Sequence, residues 1–108
     1  MEDDNTYFVD ILESAKIALS YLKDINFEDF VKNIQCQDAV IRRLELIGEA
    51  SSRISEKTQK TYTDLPWAKM KGTRNFLIHE YDDIDLFVVW VTVKENLPPV
   101  IEFIQKIL

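Results

Sequence analysis

The feature that most limits what this chain can fold into is a run of apolar residues at helical spacing near its start. Tyr7, Phe8, Ile11, Leu12, Ala15, Ala18, Leu19 and Leu22 recur at three- and four-residue steps and so line one face of a helix. Asp3, Asp4 and Asn5 precede them as candidate caps. Asn26 before Phe27, Glu28, Asp29 and Phe30 is a cap and a fresh helical turn, predicted to run on through a kink near Asn33 into a second long pattern. There Val40, Leu44, Ile47, Ala50 and Ile54 repeat helically to about Lys57. Gly48 inside this helix costs about 1 kcal/mol relative to alanine, and the expected compensation is close approach of a neighbouring helix.

Thr58 to Asp64 reads as a polar loop, after which Leu65, Pro66 and Trp67 open the next segment and Gly72 punctuates it. Asp85 can cap a helix from Leu86 to Asn96, and Pro98 and Pro99 start a final amphipathic helix through Val100, Ile101, Ile104 and Leu108. With two glycines and three prolines in 108 residues there is little material for turns, which favours a few long elements. The reading is an all-α chain, an antiparallel bundle of about four to five helices forming a single domain over residues 1–108.

LFVVWVTV, residues 86 to 93, is the segment that tests this reading, because its β-branched and aromatic residues favour a buried strand. No other segment offers a partner strand, and a lone buried strand would leave its backbone groups unpaired. As a helix it is apolar on two sides. Leu86, Val89 or Trp90, Val93 and Leu97 form one, and Phe87, Val88 and Val91 the other. A small bundle buries one such side, so the second is expected to be a subunit interface.

Cys36 is the only cysteine, which excludes an internal disulfide. The longest strongly apolar stretch, Leu86 to Val93, is far too short to span a bilayer, and no targeting segment is visible, so a cytoplasmic location without membrane attachment is expected. The formal charge of −6 argues against a nucleic-acid partner until its distribution is considered. The first thirty residues hold eight acids against Lys16 and Lys23. Arg53, Lys57, Lys60, Lys69, Lys71 and Arg74 then face only Glu56 and Asp64. That basic middle is either a solvated helix face or a phosphate-binding one.

Residues 74 to 81 read RNFLIHEY and contain the only histidine, His79. If they are helical, Tyr81 falls near Arg74 and Asn75 near His79, while Phe76 and Leu77 point the other way. Arginine offers a fixed fork of donors to phosphate oxygens, and histidine gives and takes protons near neutrality. Metal-independent RNA cleavage needs these groups: a base for the 2′-hydroxyl proton, an acid for the leaving 5′-oxygen, and cations for the charge added on the phosphoryl oxygens. The alternative is a packed core histidine with a tyrosine capping the bundle. A metal centre fits poorly, since His79 with Asp82, Asp83 and Asp85 supplies one nitrogen ligand at no typical spacing, and no cofactor is expected. Cys36 has nothing local to lower its pKa, and there is no glycine-rich phosphate loop.

Arg74, four residues, His79, one residue and Tyr81 match the Arg-x-x-x-x-His-x-Tyr motif of HepT toxins, members of the HEPN superfamily. DAVIRRLELIGEA at 38 to 50, LPWAKMKGTRN at 65 to 75 and YDDIDLFVVWVTVKENLP at 81 to 98 resemble the same family in order and spacing. The resemblance implies a HEPN-like bundle, a homodimer, and ribonuclease activity with Arg74 and His79 catalytic in the cleft between subunits. Asn75 and Lys71 are read as RNA-positioning residues. It also implies a partner, an MntA-like minimal nucleotidyltransferase antitoxin that silences the toxin by adding AMP to the motif tyrosine, here Tyr81. A bulky anion beside Arg74 would occupy the phosphate site. The competing readings are a non-catalytic HEPN dimer that binds nucleotide or docks the nucleotidyltransferase, and a purely structural helical protein.

Overall fold

A computed structural model of the chain describes residues 3–74 and 84–108. Every regular element among them is helical. Helix α1, Asp4–Tyr21, starts where Asp3 accepts a hydrogen bond from the Asn5 amide at 3.0 Å, and it buries Phe8, Ile11, Ser14, Ala15 and Ala18. The expected kink at Asn33 is a complete break between α2, Phe27–Lys32, and α3, Ile34–Arg53. Asn33 has extended backbone angles, φ −114° and ψ 91°, and its side chain accepts from the Cys36 amide to begin α3. Gln37 Nε2 donates to the carbonyls of Phe30 and Val31 at 2.9 and 3.0 Å, satisfying acceptors that α2 leaves open at its end.

The second correction concerns residues 54 to 64. The long helix ends at Arg53, short of Lys57, and part of the expected loop is instead α4, Glu56–Thr61. Ser55 caps it, accepting from the Thr58 amide at 3.2 Å. The six residues of α4 bury no side chain, so their sequence carries no apolar periodicity by which to recognise a helix. Helix α5, Trp67–Gly72, begins just after Pro66, as expected.

The LFVVWVTV segment is helical. Asp85 caps α6, Leu86–Val91, accepting from the amides of Phe87 and Val88 at 2.9 and 3.3 Å. A π-helical turn over Thr92–Asn96 then leads directly into α7, Leu97–Ile107, so the two expected helices run on without a loop. The wide turn precedes Pro98 and Pro99, which cannot donate the hydrogen bonds a regular α-helix requires.

Contacts between ends give the directions. Ser55, just past α3, hydrogen-bonds Asp4 at the start of α1, while Cys36 near the start of α3 lies against the Tyr21 carbonyl at the end of α1. Helices α1 and α3 are therefore antiparallel. Lys94 Nζ donates to the Leu22 carbonyl at 2.9 Å, bringing the π turn against the end of α1, and α7 runs back along α1 from there. Ile11, Ala15, Ala18, Leu22, Phe30, Val40, Leu44, Ile47, Val89, Val93 and Ile104 are fully buried between these helices. Each large side chain among them contributes about 1.5–3 kcal/mol by leaving water. Val89 and Val93 of the LFVVWVTV segment thus join the core, and Phe87 and Val88 remain 58% and 46% exposed. Among the described residues no helix is long and apolar enough to cross a membrane.

Candidate functional site

The motif arginine, Arg74, lies where α5 ends against α3. Gly48 makes that approach possible: a β-carbon there would stand 2.8 Å from both the Arg74 backbone nitrogen and Thr73 Oγ1, and would overlap Arg74 Cγ. This is the close approach expected of a glycine inside a long helix. Thr73 seals the junction from the other side. Its buried hydroxyl lies 2.6 Å from the Leu44 carbonyl on α3 and 2.7 Å from the Met70 carbonyl on α5. The backbone of Arg74 is thereby fixed, while its side chain stays about half exposed.

Glu49, the next residue on α3, meets two arginines. Its Oε1 accepts from Arg53 Nη2 at 3.0 Å and Nε at 3.2 Å, and its Oε2 lies 3.6 Å from Arg74 Nε. The hydrogen bond to Glu49 raises the pKa of Arg53 further, so the guanidinium stays charged. Asp10, Glu13 and Arg43 line the same cleft as Glu49 and Arg53, so the group here that suits a phosphate oxygen is the half-exposed Arg74 guanidinium itself. The remaining basic residues of the middle stretch do not all gather here. Lys57 lines a cleft with Asp3 and Asp4, and Lys69 lines another with Asp64 and Glu95. Lys71, in the last turn of α5, is half-buried.

Cys36 is a poor nucleophile in this setting. Burial pushes its thiol pKa up, which disfavours the thiolate. Among the described residues no three His, Cys, Asp or Glu side chains converge as a metal-ligand set.

The sequence profile of the HepT-like ribonucleases matches residues 11–107. The chain belongs to the HepT-like ribonuclease family. It is 42% identical over 98 residues to a candidate RNase of Methanocaldococcus jannaschii, covering 91% of this chain and 90% of that protein. It is 41% identical over 92 residues to a probable ribonuclease HepT of Thermococcus cleftensis, covering 85% and 84%. A candidate RNase of Caldanaerobacter subterraneus is 32% identical over 108 residues, covering 100% and 96%. No solved structure matches the chain.

Membership of this family bears out the resemblance and, with it, the all-α fold and the expectation of a ribonuclease. Of the candidate site residues, the structure places Arg74 at the α5 end and Lys71 one turn before it; Asn75, His79 and Tyr81 lie outside the described residues. Glu49 has no role in the sequence reading, although it sits in the IGEA stretch that resembles HepT proteins. Its local signal was the four-residue step to Arg53, which marks a helical ion pair. Its contact with Arg74, 25 positions away, leaves no such signal.

Proposed function

We propose that this HepT-like protein is a metal-independent endoribonuclease toxin of a HepT/MntA-type pair. Arg74 stabilises the charge that develops on the scissile phosphate, and His79 transfers the proton to or from the reacting oxygens. Lys71 and Asn75 position the RNA. The observation that carries the reading is the anchored Arg74, a motif arginine whose backbone is locked on α3 at Gly48 while its guanidinium stays open to solvent. Histidine supplies one proton transfer at a time, so a twofold dimer, with two His79 and two Arg74 side chains in one cleft, completes acid and base. The exposed Phe87 and Val88 of α6 supply an apolar surface for that association. An MntA-like nucleotidyltransferase adds AMP to Tyr81, and the added phosphate competes with RNA for Arg74.

The test is cleavage of RNA by protein purified away from other nucleases, with a chelator present. Wild type cleaves and elutes as a dimer; Arg74→Ala and His79→Ala each lose about a hundredfold or more of the rate with unchanged helical content. Retained cleavage in both variants overturns the reading. A wild type that binds RNA or nucleotide without cutting supports the non-catalytic dimer, the reading that the overall charge of −6 keeps open.

A further inference from the structure

Arg74 is long and half exposed, and a guanidinium on a flexible stem loses many rotamers when it settles on a phosphate. The surroundings of Arg74 reduce that freedom in two stages. Gly48 and Thr73 fix the backbone, and the Arg74 Cγ lies directly over Gly48, so the side chain sets out across the surface of α3. Glu49 then meets it, with the nearest approach at Nε. At that distance the contact is an ion pair rather than a hydrogen bond; it draws the Nε edge toward Glu49 and so favours presentation of the two terminal nitrogens, the fork that matches a phosphate.

Glu49 is itself held. Arg53, one helical turn on, donates two hydrogen bonds to Oε1, which turns Oε2 toward Arg74. At 3.6 Å, with both side chains nearly half exposed, the Glu49–Arg74 pair is loose enough for the guanidinium to adjust when a phosphate arrives. Because Oε1 of Glu49 is already engaged by Arg53, the carboxylate is shared between two guanidiniums and does not neutralise Arg74 alone.

We infer that Glu49 is a positioning residue for ribonuclease chemistry, held by Arg53 and orienting Arg74 through its Nε. This rests on the reading of Arg74 as a catalytic group, and the experiment separates the two ideas. Cleavage of a labelled single-stranded RNA oligonucleotide is measured as kcat and KM for wild type, Glu49→Ala, Glu49→Gln, Arg53→Gln and Arg74→Ala. Helical content and thermal midpoint are recorded for each.

A positioning role lowers kcat about tenfold in Glu49→Ala, less than the hundredfold that gross misplacement can cause. KM stays level or falls, because a negative charge has left the phosphate site. Glu49→Gln, which keeps one acceptor oxygen, recovers part of the rate. Arg53→Gln lowers kcat in the same direction, and adding it to Glu49→Ala gives no further loss, as expected of residues acting in series. Wild-type kcat in Glu49→Ala with only a lower thermal midpoint makes Glu49 structural and overturns the inference. A higher kcat/KM with unreduced kcat makes it an electrostatic guard and also overturns it. If Arg74→Ala cleaves as well as wild type, the catalytic reading of Arg74 fails, whatever Glu49 does.

Discussion

Two junctions at the C-terminal end of α3 hold neighbouring elements by opposite means. At Gly48 the end of α5 is seated by the absence of a side chain, and Thr73 closes the contact from within. A few residues on, Asp4 of α1 accepts from the Ser55 amide at 3.1 Å, the Ser55 hydroxyl at 2.7 Å and the Thr58 hydroxyl at 2.5 Å, joining the start of α1 to the cap of α4. The first junction depends on shape and is buried; the second depends on charge and lies at the surface, only partly covered. Shape fails abruptly when a methyl group is added, whereas an exposed hydrogen-bonded carboxylate weakens by degrees as it takes up a proton. The steric junction carries the motif arginine, and the catalytic role proposed for it requires placement to a fraction of an ångström.

The sharpest way to break the contrast is Gly48→Ala. Helix propensity alone predicts a gain of about 1 kcal/mol, but the new methyl group meets backbone and a buried hydroxyl that cannot both retreat. The expected outcome is a net loss of about 1–3 kcal/mol in denaturant unfolding, together with a fall in RNA cleavage as Thr73 and Arg74 shift. A variant more stable than wild type would show that the approach is not tight. Thr73→Val keeps the shape and removes the hydroxyl from a site only 5% exposed. A smaller loss of about 1–2 kcal/mol is expected, with cleavage reduced less than in Gly48→Ala.

The smallest effect belongs to the polar junction. The side-chain hydrogen bond from Thr58, followed by that from Ser55, lowers the Asp4 pKa from its ordinary value of 3.8. A depressed carboxylate pKa contributes stability that is fully present above the unfolded value and is lost as pH falls through the lowered folded value. Asp4→Asn should therefore cost up to about 1 kcal/mol at neutral pH, a limit set by solvent screening of an exposed group. The gap between wild type and variant should close below pH 3.8, on the acid side of the ordinary aspartate value. Unfolding curves across that range measure it, and a gap independent of pH would remove the charged hydrogen bonds from the account. The Gly48→Ala loss has no titrating group behind it and should persist over the same window.

The sequence by itself determined whatever depends on spacing within one element. The three- and four-residue steps of α1 and α3 and the Asp85 cap follow from local geometry, because neighbours on a helix face are three or four residues apart. The helical character of residues 86 to 93, by contrast, ran against local propensity and followed from the lack of a partner strand elsewhere in the sequence. The motif arginine and the family were legible for a related reason, since the residues that carry the resemblance keep fixed intervals along the chain. Gly48 announced a close approach but not its partner. Only the tertiary structure decided that the partner is Arg74, that Glu49 stands between Arg74 and Arg53, and that Asp4 reaches Ser55 and Thr58 more than fifty positions away. It also decided the break at Asn33 and the existence of α4, which a cap and hydrogen bonds define without any buried face. Such contacts join residues whose separation along the chain is set by the packing of whole helices, and no local period records which ends will meet.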